Sequence, residues 1–262
     1  MVSSFQVFGI KTGLLKPGDN FAEILIDEAK QAGGLLDGDI IVIAESALAT
    51  AEGAVVRLKD VIPSKEALEY SKKYGIEERL AEVVIQESDS IVGGIPGFLL
   101  SMKNGTLLPN AGIDGSNAPP GAVVTLPKDP DKSARKIHDE ILLKTGINTG
   151  IIVADSRTHA MRLGCSGVAI GCYGMTAVTD ERGKTDLFGR ELEVTQLAIA
   201  DSIASAAELT MGEANECTPA AIVRGLSRYL SDESGIEGIE PSKCLFMGVA
   251  MKADLSFMKN QL

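Results

Sequence analysis

Apolar positions along the chain switch between two spacings, period two in short runs and three-to-four in longer ones. Phe5–Ile10 reads as a strand and runs into a loop from Lys11 to Asp19. Asn20 stands three residues before Glu23, a capping-box spacing, and Phe21, Ile24, Leu25 and Ala29 recur on one helix face until Gly33-Gly34. Asp37-Gly38 turns the chain into Ile40–Ala44, a buried strand by its continuous apolar run, and a polar segment at its end holds Glu45-Ser46 and Thr50–Gly53. Pro63-Ser64 opens a helix that closes near Tyr74 at Gly75. Glu77 to Glu87 forms another helix, with Leu80, Val83 and Val84 inward. The glycines of Gly93–Gly97 predict a loop, and Asn104-Gly105 predicts a tight hairpin between the apolar runs Phe98–Met102 and Thr106–Leu108.

Further on, Ala122–Leu126, Gly150–Ala154, Val168–Cys172 and Thr218–Arg224 read as strands. Asp129-Pro130 starts a helix over Lys128–Lys144 that ends before Gly146, with Ala134, Ile137, Ile141 and Leu142 inward. A second long helix is expected from Glu191 through Leu209, its Ala and Ser content suiting close packing. Thr179–Arg190 reads as a charged loop and Ser231–Gly238 as an exposed one. Helices and strands mix irregularly around at least one hairpin, so the fold class is α+β, with mixed and antiparallel sheets and packed helices.

Composition narrows the chemistry. With 262 residues, 45% of them hydrophobic, the chain can bury a sizeable core. No apolar run reaches the length of a membrane span, and Met1–Lys11 has neither a basic segment nor a long apolar one, so a cytoplasmic protein acting without a membrane is expected. A net charge of −11 argues against a nucleic-acid partner, because phosphate backbones reward clustered Lys and Arg. Cys165, Cys172, Cys217 and Cys244 form no Cys-x-x-Cys pair, and His138 and His159 are the only histidines, so a zinc cage has little support. There is no glycine-rich phosphate loop ending in Gly-Lys and a hydroxyl residue.

Four polar stations recur at the ends of these elements: Glu45-Ser46, Asp114 with Asn117, Asp155-Ser156, and Glu213. Asp114 lies between small residues in Asn110–Asn117, a segment read as a binding loop, and can offer its carboxylate to a hard cation; an Asx-turn without a ligand explains the same residues. Asp155-Ser156 places a carboxylate and a hydroxyl at a strand exit, where both oxygens can enter one cation's shell or else cap a helix. Three carboxylates converging on two divalent ions would let an acidic protein hold a nucleoside triphosphate.

Asn110–Asn117, Lys184–Thr195, Met211-Gly212-Glu213 and Val223–Leu226, in that order, resemble the coenzyme F(420)-0:L-glutamate ligases, the γ-glutamyl ligases of the deazaflavin coenzyme. The similarity runs from about Phe5 to Leu226. It implies a ligase domain over residues 1–226, with room for two intertwined lobes, and a C-terminal extension over 227–262. It further implies a GTP-dependent amide ligase, a homodimer using two Mg2+ or Mn2+ ions per subunit and K+. In such an enzyme GTP phosphorylates the lactyl carboxylate of the deazaflavin coenzyme precursor, and the amine of L-glutamate displaces the phosphate. Carried over by motif, Asp114 and Asp155 hold one metal, and Ser156 and Glu213 the other. GTP then lies against Thr12, Gly13, Leu14 and Leu15, against Glu45, Ser46 and Asn117, and against Met211, Gly212, Glu213, Ala214, Asn215, Glu216, Cys217 and Thr218. Asp114, Asp155 and Arg162 are the implied catalytic residues.

Two departures from the family pattern stand out. Thr50-Ala51-Glu52-Gly53-Ala54 lacks the family's usual lysine and arginine, and Thr158 and His159 replace a glycine and an arginine, while Arg162 and Gly164 match. A lost guanidinium is not a conservative change at an anion site, although Arg157 can supply charge nearby. A ligase for another carboxylate, one using ATP, and a non-catalytic nucleotide-binding regulator therefore stay open beside the F(420) reading.

Overall fold

In the computed structural model, which describes residues 4–250, the chain forms two units. The larger combines the chain through Arg57 with Asp114–Ile236, and the smaller combines Leu58–Ile113 with the segment from Glu237 on. Strand β1 (Gln6–Ile10), helix α1 (Phe21–Glu28), strand β2 (Ile40–Ala44), helix α2 (Glu45–Ala51) and strand β3 (Val55–Arg57) open the larger unit. Helices α3 (Lys65–Tyr74) and α4 (Glu78–Glu87) and strands β4 (Ser90–Ile95), β5 (Phe98–Lys103) and β6 (Thr106–Pro109) make the smaller one. The chain returns to the larger unit with β7 (Ala122–Val124), α5 (Pro130–Thr145), β8 (Gly150–Thr158), β9 (Cys165–Met175), β10 (Val178–Asp180), β11 (Gln196–Ala198), α6 (Ile199–Met211), β12 (Ala220–Arg224) and β13 (Leu230–Ser234). A final helix, α7 (Leu245–Ala250), belongs to the smaller unit.

The larger unit is built on a six-stranded sheet in the order β1, β12, β2, β8, β9, β13. Only β2 and β8 run parallel; the other neighbours are antiparallel. Ile41, Ile43, Ile151 and Val153 point to the face covered by α1, α2 and α5, whereas Ile40, Val42, Ile152 and Ala154 point to the face covered by α6. A sheet coated on both sides reads as unbroken apolar runs, which is how β2 and β8 stand out in the sequence. Helices approach β9 closely at two glycines. A Cβ at Gly167 would lie 2.5 Å from the Ala204 carbonyl carbon, and one at Gly171 would lie 2.7 Å from the Pro130 carbonyl carbon.

The smaller unit packs Ala67, Ile76, Ala81, Val84, Leu99 and Ala111 into a core of its own around the antiparallel sheet β4, β5, β6. Asn104-Gly105 makes the predicted tight turn, both residues with positive φ. A mixed central sheet, smaller antiparallel sheets and packed helices agree with the α+β class.

Several elements differ from the sequence reading. Gly93 and Gly94 lie inside β4, and the turn is confined to Pro96-Gly97. A Cβ at Gly94 would stand 2.6 Å from the Phe98 carbonyl oxygen, so this glycine answers a close approach rather than a loop. Helix α6 starts at Ile199, not Glu191, and the residues before it include β11, paired with β10 across the charged loop. Ser231–Gly238 is not all loop, because β13 pairs with β9 at the edge of the sheet, where polar side chains are tolerated. Leu142 is exposed. The polar segment Glu45–Ala51 is helix α2, in which the Thr50 hydroxyl donates to the Ser46 carbonyl at 2.7 Å.

Candidate functional site

One end of the central sheet gathers most of the sequence candidates. The parallel pairing of β2 with β8 ends at Ala44 opposite Ala154, so Glu45, at the start of α2, and Asp155, in the part of β8 that runs on beyond β2, follow at the same level. At that same end β12 begins, with Ala220 opposite both Ile43 and Ile10. The loop after β1, which carries Thr12–Leu15, and the Met211–Thr218 loop before β12 therefore emerge beside them. The Thr12 amide donates to the Cys217 carbonyl at 2.9 Å, and the Ala44 amide donates to Pro219 at 2.8 Å. Thr12 is buried and Leu15 half-buried, while Gly13 and Leu14 are exposed.

Asp114 reaches the site through backbone pairing rather than side-chain packing. Its N–H and C=O exchange hydrogen bonds with Val124 on β7 at 2.9 and 2.8 Å. One carboxylate oxygen accepts from the Ser116 amide at 2.7 Å, so the Asx-turn is real, yet it uses only Oδ1. Asn117, with φ of +53°, donates from its side-chain amide to the Ala214 carbonyl at 3.0 Å and so ties this turn to the Met211–Thr218 loop. Cys217 has φ of +53° as well, an arrangement that L residues adopt only when their surroundings enforce it. Within the loop, Glu216 accepts from the Ala214 amide at 2.8 Å. Met211 is buried, Thr218 is half-buried, and Gly212, Glu213, Ala214 and Asn215 are exposed.

Asn110–Gly112 does a different job from the one its polarity predicts. Asn110 accepts from the Leu99 amide at 2.9 Å, the Ala111 amide donates to the Ser101 hydroxyl at 3.0 Å, and Ala111 is fully buried in the core of the smaller unit. The first half of Asn110–Asn117 is therefore an anchor, and only the second half faces the site.

Electrostatics mark the centre. Burial pushes the Glu45 carboxyl well above the usual carboxylate range, and the nearby charges of Asp155 and Asp114 push it further. Burial also raises Asp155, against the lowering effect of Arg157, and Asp114 adds to the rise. Buried carboxylates raised by neighbouring carboxylate charge, as Glu45 and Asp155 are, are short of positive charge. Glu208 on α6, which sequence reasoning passed over, titrates at about 7 through burial and the charges of Glu213 and Asp155. It sits within a run of helical residues and carries no motif, so only its position relative to those two carboxylates reveals it.

Asp155 and Ser156 do not cap a helix; both lie within β8, which continues to Thr158. Strand alternation sends them to opposite faces, Asp155 with Val153 toward α2 and Ser156 with Ala154 toward α6. Joint entry of the two into one cation shell is thus disfavoured by the pleat. Arg162 stands apart: it is exposed at the tip between β8 and β9, and its side chain has no hydrogen-bond or ion-pair partner among the described residues. His159 at the same tip is bonded to the Ser166 hydroxyl at 2.7 Å.

Among the described residues, no group of three or more His, Cys, Asp or Glu side chains is arranged to hold a metal ion as it stands. The donors nevertheless suit a hard divalent cation in kind, being carboxylate oxygens that repel one another. A cation among them would relieve that repulsion. No described helix is long and apolar enough to cross a membrane.

The sequence profile of the F420-0:Gamma-glutamyl ligase family matches residues 9–225. Among curated proteins the chain is similar to the coenzyme F420:L-glutamate ligase of Methanopyrus kandleri, at 41% identity over 84% of this chain and 86% of that one. The proteins of the same name from Methanocaldococcus jannaschii and Archaeoglobus fulgidus are 40% and 38% identical, covering 91% and 92% of this chain and 94% of each of theirs. A match of this extent spans every loop that meets at the end of the central sheet, and the chain belongs to the F420-0:gamma-glutamyl ligase family.

Proposed function

We propose that the protein is a GTP-dependent ligase that joins the amine of L-glutamate to the lactyl carboxylate of a deazaflavin coenzyme precursor. The observation that carries this reading is the meeting of Glu45, Asp114 and Asp155, short of positive charge, with the Thr12–Leu15 and Met211–Thr218 loops in a chain of this family. The acceptor carboxylate takes the γ-phosphoryl group, GDP leaves, and the glutamate amine then attacks the acyl carbon and expels phosphate. Such a transfer needs positioning and charge stabilisation rather than a protein nucleophile.

Asp114 and Asp155 would hold one Mg2+ or Mn2+, and Ser156 and Glu213 the other, on the two faces that strand alternation separates. The ions would neutralise and orient the phosphates. Asn117 fixes the Met211–Thr218 loop through its bond to Ala214. Pairing of two copies would cover the exposed Leu187, Phe188 and Val194 of the β10–β11 arm.

Incubation with the precursor, L-glutamate, GTP and Mn2+ should yield GDP and a product heavier by one glutamyl residue, read by mass spectrometry. Asp114→Asn should lower kcat by about 100-fold or more, the cost of removing a group that organises transition-state charge. Neither GDP nor product at high enzyme concentration overturns the proposal. A second reading, a related ligase with another acceptor or with ATP, is favoured by the engagement of His159 with Ser166 where the family carries a guanidinium. It predicts nucleotide turnover only with a different carboxylate or nucleotide.

A further inference from the structure

Burial and then neighbouring carboxylate charge raise Glu45, Asp155 and Glu208, so positive charge is scarce around them, and Arg157 supplies it. Asp155 and Arg157 are two apart on β8 and so share a face. The Arg157 Nε donates to Asp155 Oδ2 at 2.8 Å, with only 16% and 12% of the two side chains exposed. This is unlike the Asp180–Arg182 pair, which has the same spacing but is about half exposed and bonded through both Nε and a terminal nitrogen. Arg157 engages through Nε alone, and its two terminal nitrogens have no acceptor among the described residues. A largely buried guanidinium with unspent donors is suited to a second, anionic partner.

We propose that Arg157 is a displaceable counter-ion. Without a cation it occupies Asp155; when a divalent cation takes that carboxylate, the guanidinium is released to a phosphate of the bound nucleotide. This rests on the cation-and-nucleotide part of the proposed function, not on the identity of the acceptor. Arg157 thereby couples the two ligands: cation binding frees the anion contact, and the anion keeps the arginine from returning. The family's arginine, replaced by His159, is then compensated by a residue two positions earlier whose availability depends on the metal.

Calorimetric titration of the full chain tests this without any turnover. Mn2+ alone should bind Arg157→Gln about tenfold more tightly than the unsubstituted protein, because the competing cation is gone. GDP titrated at saturating Mn2+ should bind the same variant about tenfold more weakly, a charge-assisted contact having been lost. Arg157→Lys, which keeps the charge but not the fork, should fall between, and Asp155→Asn should lose the Mn2+ difference altogether. Mn2+ affinity that is unchanged, reduced or absent in Arg157→Gln overturns the proposal, as does unaltered GDP affinity; a merely structural arginine would weaken both ligands together. Glutamyl product with equal Mn2+ affinities removes this inference and keeps the ligase reading, whereas opposed affinity shifts without product do the reverse.

Discussion

Aspartate–arginine pairs stand at opposite ends of the central sheet, and they are built to different ends. At the start of β2, Asp39 is 1% exposed and fully answered. Arg224 meets it through Nε to Oδ1 and Nη2 to Oδ2, both at 2.8 Å, and the Leu36 amide donates to Oδ2 at 2.8 Å. Arg224 also bonds the Gly34 carbonyl at 2.8 Å and lies over the Phe8 ring. Within β8, just beyond the end of its pairing with β2, Asp155 has one bond from Arg157 and feels the charge of Asp114. Burial of an acidic residue is common to both pairs, so burial does not mark function. An excess of like charge that the protein itself leaves unanswered does.

Asparagine at each position separates the two most sharply. Asp39→Asn should destabilise the protein by about 2 to 3 kcal/mol, because the half-buried Arg224 loses both charge-assisted bonds to a fully buried carboxylate that nothing else among the described residues neutralises, and it should leave Mn2+ binding intact once folded. Asp155→Asn should shift stability by less than about 1 kcal/mol, since the lost bond is offset by relief of repulsion from Asp114. It should also abolish the rise in melting temperature that Mn2+ gives. Thermal unfolding with and without Mn2+ reads both. Equal destabilisation by the two substitutions would mean that the β8 pair is as structural as the β2 pair.

Element boundaries set by neighbouring residues are more legible than the functional end of the sheet. Asn20, Ser64 and Asp129 each accept an amide three residues on, and Gly33, Gly75 and Gly146 close helical segments with positive φ, so boundaries carried by local chemistry are readable from the sequence. The functional end depends on contacts far apart in the chain. Asp155-Ser156-Arg157-Thr158 continues a strand although none of these residues is apolar, because β9 pairs with it along the whole length. Asp114 joins the site through Val124, and Asn117 through Ala214, 97 residues away. The start of α6 is illegible for a related reason: residues 191–198 have helical composition, but Gln196–Ala198 pair with β10 and Leu192 and Thr195 bond to the residues just after it. The ends of the predicted elements located the acidic stations and the motif resemblance gave them roles, whereas Glu208 and the Asp155–Arg157 bond needed the folded chain.

The smallest expected effect probes the same contrast through pH. Glu208 has its folded pKa raised from 4.5 to about 7, chiefly by burial and then by Glu213 and Asp155. A raised acid is protonated in both folded and unfolded chains below about 4.5, so it carries no penalty there. As pH climbs from there to about 7, the unfolded chain gives up the proton and the folded chain keeps it, so stability falls across that window. Glu208→Gln keeps the neutral shape and removes the titration. Its melting temperature should match the unsubstituted protein at pH 4.5 and exceed it at pH 8 by no more than about 2 °C, since Glu208 is only half-buried and water screens it. Saturating Mn2+ should shrink this gap, because a cation near Asp155 and Glu213 offsets the charges that hold the Glu208 proton in place. The Asp39–Arg224 pair, already matched charge for charge, gives Mn2+ no such purchase. A Glu208→Gln gap of equal size with and without the ion would place the cation away from the β8 end of the sheet.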